Sequence, residues 1–179
     1  MKLVKPSLKY KDQFIKAVEE GFKEGSYSFS DTRRAKIFGD FEAFVNEPEY
    51  PEPGEKVLCP DGNSYEKVPQ LRFWLVDDND KFLGALAFRT KLNPFLLNHS
   101  GNLAYGIVPS EMGKGYATVG LSLLLDEARK LGLDKVLITA RVENAASCRV
   151  IEKNGGVLEN IWTAPWNSEE KYKRYWIIL

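Results

Sequence analysis

Residues 105–118 read Tyr105-Gly106-Ile107-Val108-Pro109-Ser110-Glu111-Met112-Gly113-Lys114-Gly115-Tyr116-Ala117-Thr118. An apolar run, a break at proline, two glycines around one lysine and then a helical stripe predict a strand, a glycine-bearing loop and a buried helix, in that order. Glycine lets the backbone take positive φ and come close to a ligand. The helix that follows offers unpaired N–H groups and the positive end of its dipole. Together these suit an anion, above all a phosphate, and Lys114 adds a full positive charge at the same point. A plain structural turn explains the same glycines, so the loop alone does not fix a function. The run also lacks both common nucleotide fingerprints: the order G-x-x-x-x-G-K-[ST], and G-x-G-x-x-G followed by a strand and an acidic residue.

Outward from this loop the chain reads as alternating elements. Downstream, Ala117, Leu121, Leu124, Leu125, Ala128 and Leu131 form one helical face over 118–131, widened by Val119 and Leu123 and stopped by Gly132. Residues 135–140 are an apolar strand of the kind buried on both faces. A helix over 144–154 ends at Gly155-Gly156, and strands over 157–162 and 172–179 close the chain as an antiparallel pair. The run from Glu169 to Arg174 is most simply a solvated turn and an edge strand. Upstream, strands over 71–76 and 81–89 flank the turn cluster Asp77-Asp78-Asn79-Asp80, a hairpin signal. Residues 102–108 are a further strand, preceded by one helical turn at Phe95-Leu96-Leu97. A short strand at 2–5 precedes a helix over 8–23, capped by Ser7 and stopped by Gly25, with Tyr10, Phe14, Ala17, Val18 and Phe22 on its buried stripe. A second helix, capped by Asp31, carries Ile37, Phe38, Phe41, Phe44 and Val45 up to Pro48.

Residues 47–69 differ in kind. Pro48, Pro51, Pro53, Gly54, Pro60, Gly62 and Pro69 argue against regular structure. A loop of that length is either a tolerated insertion or a cover for a substrate. The element order implies one α/β (α+β) domain over 1–179, with a mixed sheet and helices on both faces. Strand–helix–strand over 102–140 implies a right-handed parallel crossover.

Composition narrows the function. Lys+Arg and Asp+Glu are both 25, so the formal net charge is zero, which disfavours nucleic-acid or membrane-surface binding. Cys59 and Cys148 fit no metal spacing and read as free thiols of a reducing compartment. The start of the chain has no apolar core of a signal peptide, and no apolar run is long enough to span a bilayer. The expectation is a soluble, cytoplasmic protein.

Met112-Gly113-Lys114-Gly115-Tyr116-Ala117 resembles motif A of the GNAT superfamily of N-acetyltransferases, [QR]-x-x-G-x-[GA], at Gly115 and Ala117. Asn144-Ala145-Ala146-Ser147 and Ile151-Glu152-Lys153-Asn154-Gly155-Gly156 are similar to the family's N-x-x-S helix and its glycine end. The close match covers about a third of the chain, and element order extends it. The Val-Pro-Ser before the loop and the ending Arg174-Tyr175-Trp176-Ile177 resemble a bacterial branch of acetyltransferases. The resemblance implies a GNAT-like, mostly antiparallel sheet of six to seven strands with a central, splayed parallel pair. It implies acetyl-CoA as co-substrate, no metal, and an amine acceptor, either a small molecule or a peptide N-terminus. It places the cofactor against Ile107, Val108, Met112, Gly113, Lys114, Gly115, Tyr116, Ala117 and Thr118, with Asn144 and Ser147 reaching it from the later helix. Asn144 reads equally as a simple N-cap.

Three departures from the pattern matter. Met112 stands where the motif opens with Gln or Arg. Ile151 stands where many members carry a tyrosine acid, and Thr139 where some carry a glutamate base. The remaining candidates are Ser147 as acid, Tyr105 as a residue lining the cleft, and His99, the one histidine, as base. The polar neighbours Asn98 and Ser100 make a solvated loop position the simpler reading for His99. Cys148 reads as a buried filler rather than a nucleophile. The alternative to an enzyme is a non-catalytic acyl-CoA-binding or sensor domain. A homodimer through the C-terminal strand is a further expectation.

Overall fold

Alternation along β4 (Gln70–Val76) sets the first sheet: Trp74 and Val76 point into one apolar layer, while Leu75 meets the other face. A computed structural model describes residues 1–24 and 29–179. In it β1 (Lys2–Val4), β4, β5 (Phe82–Arg89) and β6 (Leu103–Ile107) form a four-stranded sheet in the order β1-β4-β5-β6. β1 is antiparallel to β4, with Leu3 opposite Leu75. Arg89 N–H donates to Asn102 O (2.8 Å) and Val108 N–H to Leu83 O (2.9 Å), so the chain around β6 also runs antiparallel to β5.

By backbone contacts the chain divides into two compact units: Met1–Glu49 with Arg72–Ala87 and Ala104–Leu124, and Tyr50–Leu71 with Phe88–Leu103 and Leu125–Leu179. In the first unit α1 (Lys11–Glu19), α2 (Asp31–Gly39) and α3 (Phe41–Val45) lay an aromatic layer on the sheet. Phe14 is its centre, stacked on Trp74 at 4.9 Å and in contact with Phe22, Phe29, Phe41, Phe44 and Phe82. The first half of α5 (Tyr116–Lys130) covers the opposite face, where Gly120 lies against Leu75 and Leu86.

The second unit holds β7 (Lys135–Arg141), β8 (Val157–Thr163) and β9 (Lys171–Ile178) in the order β7-β9-β8, antiparallel throughout. β9 is therefore the middle strand and not the expected edge. The edge strands are β7 and β8, and Val157, Leu158 and Ile161 of β8 are exposed. α6 (Ala145–Lys153) buries Cys148 and Ile151, and Tyr175 Oη donates to Glu152 Oε1 (2.9 Å). The four- and three-stranded sheets together contain the seven expected strands. The mixed α/β class, with antiparallel strands and helices, is as the sequence implies.

Several boundaries differ for local reasons. Residues 47–69 are not wholly irregular: β2 (Lys56–Leu58) pairs with β3 (Ser64–Glu66) around Asp61-Gly62-Asn63, with Gly62 at φ +80°. The first helix ends at Glu19 because Gly21, at φ +93°, already turns the chain. Gly25, the expected stop, lies outside the described residues. The second helix starts one residue after a Ser30 cap and breaks at Gly39-Asp40, where the Asp40 side chain caps α3. On α5 the buried face is narrower than expected, since Val119 and Leu131 are exposed.

Candidate active site

The glycine loop lies in the first unit. A single 3-10 turn, Pro109–Glu111, carries the chain from β6 to Met112. Gly113 and Gly115 take φ of +79° and +85°, so both sit where an L side chain is strained. A Cβ built on either meets nothing within 4 Å. The loop thus presents bare backbone on an open side and runs straight into the N-terminus of α5. Thr118 and Val119 N–H both turn back to Gly115 O (3.0 and 3.3 Å), which leaves the N–H groups just before them without an intrahelical acceptor. A helix N-terminus of this form offers backbone donors that can hold a phosphate group.

Lys114 is not the lone charge that its sequence position suggests. Its Nζ donates to Glu111 Oε2 (2.9 Å), and Lys81 Nζ donates to Glu111 Oε1 (2.6 Å). Glu111 is buried at 6% exposure. The Lys81 hydrogen bond, then that of Lys114, holds its carboxyl below the usual range. Glu111 thus has two lysine partners, and Ser110 Oγ beside it donates to Glu20 Oε2 (2.8 Å). Met112 is exposed. Tyr116, Ala117 and Thr118 are half-buried at the start of α5. Ile107 and Val108 are buried, and Val108 packs in the aromatic layer. Tyr105 is half-buried on β6, which is the last strand of its sheet.

The remaining candidates lie in the second unit. Asn144 caps α6, its Oδ1 accepting from Ser147 N–H (3.0 Å); its side-chain amide is still a donor. Ser147 is in the first turn of α6 and half-buried. Ile151 is fully buried, and a Cβ on Gly156 would lie 2.4 Å from its Cγ2. Thr139 Oγ1 donates to His99 O (2.6 Å). These two positions are structural, which explains why neither holds an acid or a base.

His99 corrects the sequence reading. It is not solvated: it is 2% exposed, at the end of α4 (Pro94–Asn98). Its ring lies in a cage of Phe95 (4.9 Å), Trp166 (5.5 Å), Trp162 (5.9 Å) and Tyr172 (4.5 Å), with Nδ1 2.9 Å from Ser100 Oγ. Burial pushes its pKa down to about 4; Glu170 opposes this, and Arg141 and Arg89 add to it. The imidazole is neutral at neutral pH. Its folded pKa lies below the ordinary value of about 6.5, so its contribution to stability is complete above that value and is lost as pH falls toward 4. Between pH 7.5 and pH 5 this removes roughly 1–2 kcal/mol from the unfolding free energy. Urea titrations at the two pH values, compared with His99→Asn, should show a smaller pH dependence in the variant.

Comparison with known proteins agrees with this fold. Residues 30–157, well over half of the chain, match the Acetyltransferase (GNAT) domain family. The chain belongs to the GNAT acetyltransferases. It is similar in fold to a GNAT-family acetyltransferase from Bacillus anthracis, at 18% identity and a TM-score of 0.64, over 98% of this chain and 93% of that one. It is also similar to the Salmonella typhimurium acetyltransferase that modifies the N-terminal serine of ribosomal protein L7/L12, at 16% identity and a TM-score of 0.63, over 99% and 94%. A mutant of spermidine N-acetyltransferase from Vibrio cholerae gives 18% identity and a TM-score of 0.63, over 99% and 95%. No curated protein sequence matches. Among the described residues no cluster of three or more His, Cys, Asp or Glu is placed to hold a metal, and no helix is long and apolar enough to cross a membrane.

Proposed function

We propose that the chain transfers an acetyl group from acetyl-CoA to a primary amine by direct attack. The observation that carries this reading is the open glycine loop of Gly113 and Gly115 at the N-terminus of α5. Its backbone amides at the N-terminus of α5 receive the pyrophosphate. The pantetheine arm runs along the outer edge of β6, the edge outside the sheet's ladder. What supports Asn144 as a further donor is its match to the family's N-x-x-S helix. The amine lone pair forms the new N–C bond, the C–S bond breaks, and the thiolate takes a proton while the amine loses one. Tyr105 is the candidate for the amine side and Ser147 for the thiolate side; the buried, weakly basic His99 is disfavoured. The acceptor is a small amine or a peptide N-terminus, the two kinds named for the fold relatives. The protein works in the cytoplasm, and a homodimer would use the exposed β8 edge rather than β9.

A second reading is a non-catalytic acyl-CoA-binding domain. It is supported by the structural commitment of Ile151 and Thr139. Free-thiol release from acetyl-CoA, followed across polyamines, amino acids and N-terminal peptides, separates the two. Amine-dependent release supports the enzyme. Binding of CoA with no release on any amine supports the second reading.

A further inference from the structure

Arg72 on β4 has a side chain only 9% exposed. Its guanidinium lies over the Phe44 ring at 4.8 Å. Nη1 donates to Phe44 O (2.9 Å) and is 3.4 Å from Glu47 Oε2, and the backbone N–H donates to Glu49 Oε1 (2.8 Å). Nε and Nη2 are buried and have no partner among the described residues. These two nitrogens share one edge of the planar group and point their N–H bonds the same way. That edge is the one that holds two oxygens of a carboxylate at once. Buried donors are almost always satisfied, so a pair left open on one edge calls for an acceptor.

The charges around Arg72 point the same way. Arg33 bonds Glu24 (2.7 Å) and Glu47 (3.1 Å), Lys36 bonds Glu47 (3.3 Å) and Lys5 bonds Glu49 (2.6 Å). With Arg72, four cations in this network meet three carboxylates, and one positive charge lacks a counterion among the described residues. Arg33 also lies over Phe44 (5.3 Å), and its own buried Nε has no partner among the described residues. Arg33 and Glu47, ion-paired to each other beside Arg72, keep part of their side chains in solvent.

We propose that the Nε/Nη2 edge of Arg72 is the receptor for a ligand carboxylate. One missing charge and two parallel donors match a carboxylate; a phosphate dianion would bring more charge than the network lacks. Combined with the acetyl transfer proposed above, on which this second step rests, the acceptor is an amine that also bears a carboxylate, an amino-acid-like molecule rather than a polyamine.

The test uses the full chain labelled with 15N-arginine. The Arg72 Nε–H resonance is assigned by its loss in Arg72→Lys and in Arg72→Gln, with spectral dispersion reporting that each variant folds. Acetate, titrated at constant ionic strength against chloride, should move this resonance downfield and saturably. No movement, or an equal response to chloride, overturns the proposal. Saturation by inorganic phosphate at a lower concentration than acetate overturns the choice of carboxylate. For the acceptor, an amino acid should show a KM at least about tenfold below that of its amide, a difference of ~1.4 kcal/mol, and this preference should collapse in Arg72→Lys. Equal KM values in the parent protein overturn the acceptor class. Absence of thiol release with every amine counts against acetyl transfer and leaves the acetate titration to decide the subsite.

Discussion

Gly101→Ala should lower the unfolding free energy by about 3–5 kcal/mol, the largest single-site effect expected in this fold. Gly101 has φ +66°, and a Cβ there would lie 2.3 Å from Leu137 O and 2.8 Å from Leu137 C. Both are backbone atoms of β7, so no side chain can swing away. The same point is tied on both sides: Asn102 N–H donates to Leu137 O (2.7 Å), Leu137 N–H donates to Asn102 Oδ1 (2.8 Å), and Gly101 bridges Ile138. A shift large enough to admit a methyl group breaks these bonds and pulls on the Thr139–His99 contact. A domain of this length loses roughly 2–4 °C per kcal/mol, so Tm should fall by about 10 °C. Gly132→Ala is the control. It has φ +76° but nothing within 4 Å of its Cβ position, so only backbone strain is at stake, about 1 kcal/mol. Urea denaturation of both variants checks the contrast; similar losses would show that the close approach to β7 is not what Gly101 provides.

Gly115→Val should weaken acetyl-CoA binding at least about 100-fold, a loss of ~2.7 kcal/mol. The position has φ +85° with open space where the side chain would go. Valine is therefore accepted sterically in the free protein, at the cost of backbone strain of about 1–3 kcal/mol. The branched side chain then stands on the side from which a pyrophosphate approaches, and strain pulls the neighbouring N–H groups off their aim. Gly54→Val separates the two effects. Gly54 has φ +79° and equal space, so it should share the loss of stability and leave the affinity alone. Calorimetric titration of both variants with acetyl-CoA makes the comparison; equal affinities for Gly115→Val and the parent would remove the loop from the cofactor site.

Much of this was legible in the sequence because it is local. The loop of Gly113, Lys114 and Gly115 announces its conformation through residue type, and the stripe of Leu121, Leu124, Leu125 and Ala128 does the same for α5. Asn144 reads as a cap and is one. What failed depends on partners far along the chain. His99 looks polar beside Asn98 and Ser100, yet Trp162, Trp166 and Tyr172 bury it from more than sixty positions away. Lys114 looks like a bare cation, and only the fold shows that Glu111 is shared with Lys81. β9 is last in sequence but middle in its sheet. The β2–β3 hairpin was hidden by prolines, although Asp61-Gly62-Asn63 is a turn signal that could have found it. Arg72 gave no signal at all, because an arginine in a strand pattern says nothing about which of its donors are left open.

The central claim is that this GNAT chain binds acetyl-CoA through the loop around Gly115. It is tested most directly by the melting temperature of the parent protein with acetyl-CoA, CoA and ATP. With acetyl-CoA at 100 times its Kd, the gain of about 2.7 kcal/mol corresponds to a rise of roughly 5–10 °C. CoA should give a rise of the same order, and ATP should give none. No shift with either CoA species would contradict the account, and a shift with ATP alone would make the loop a nucleotide site instead.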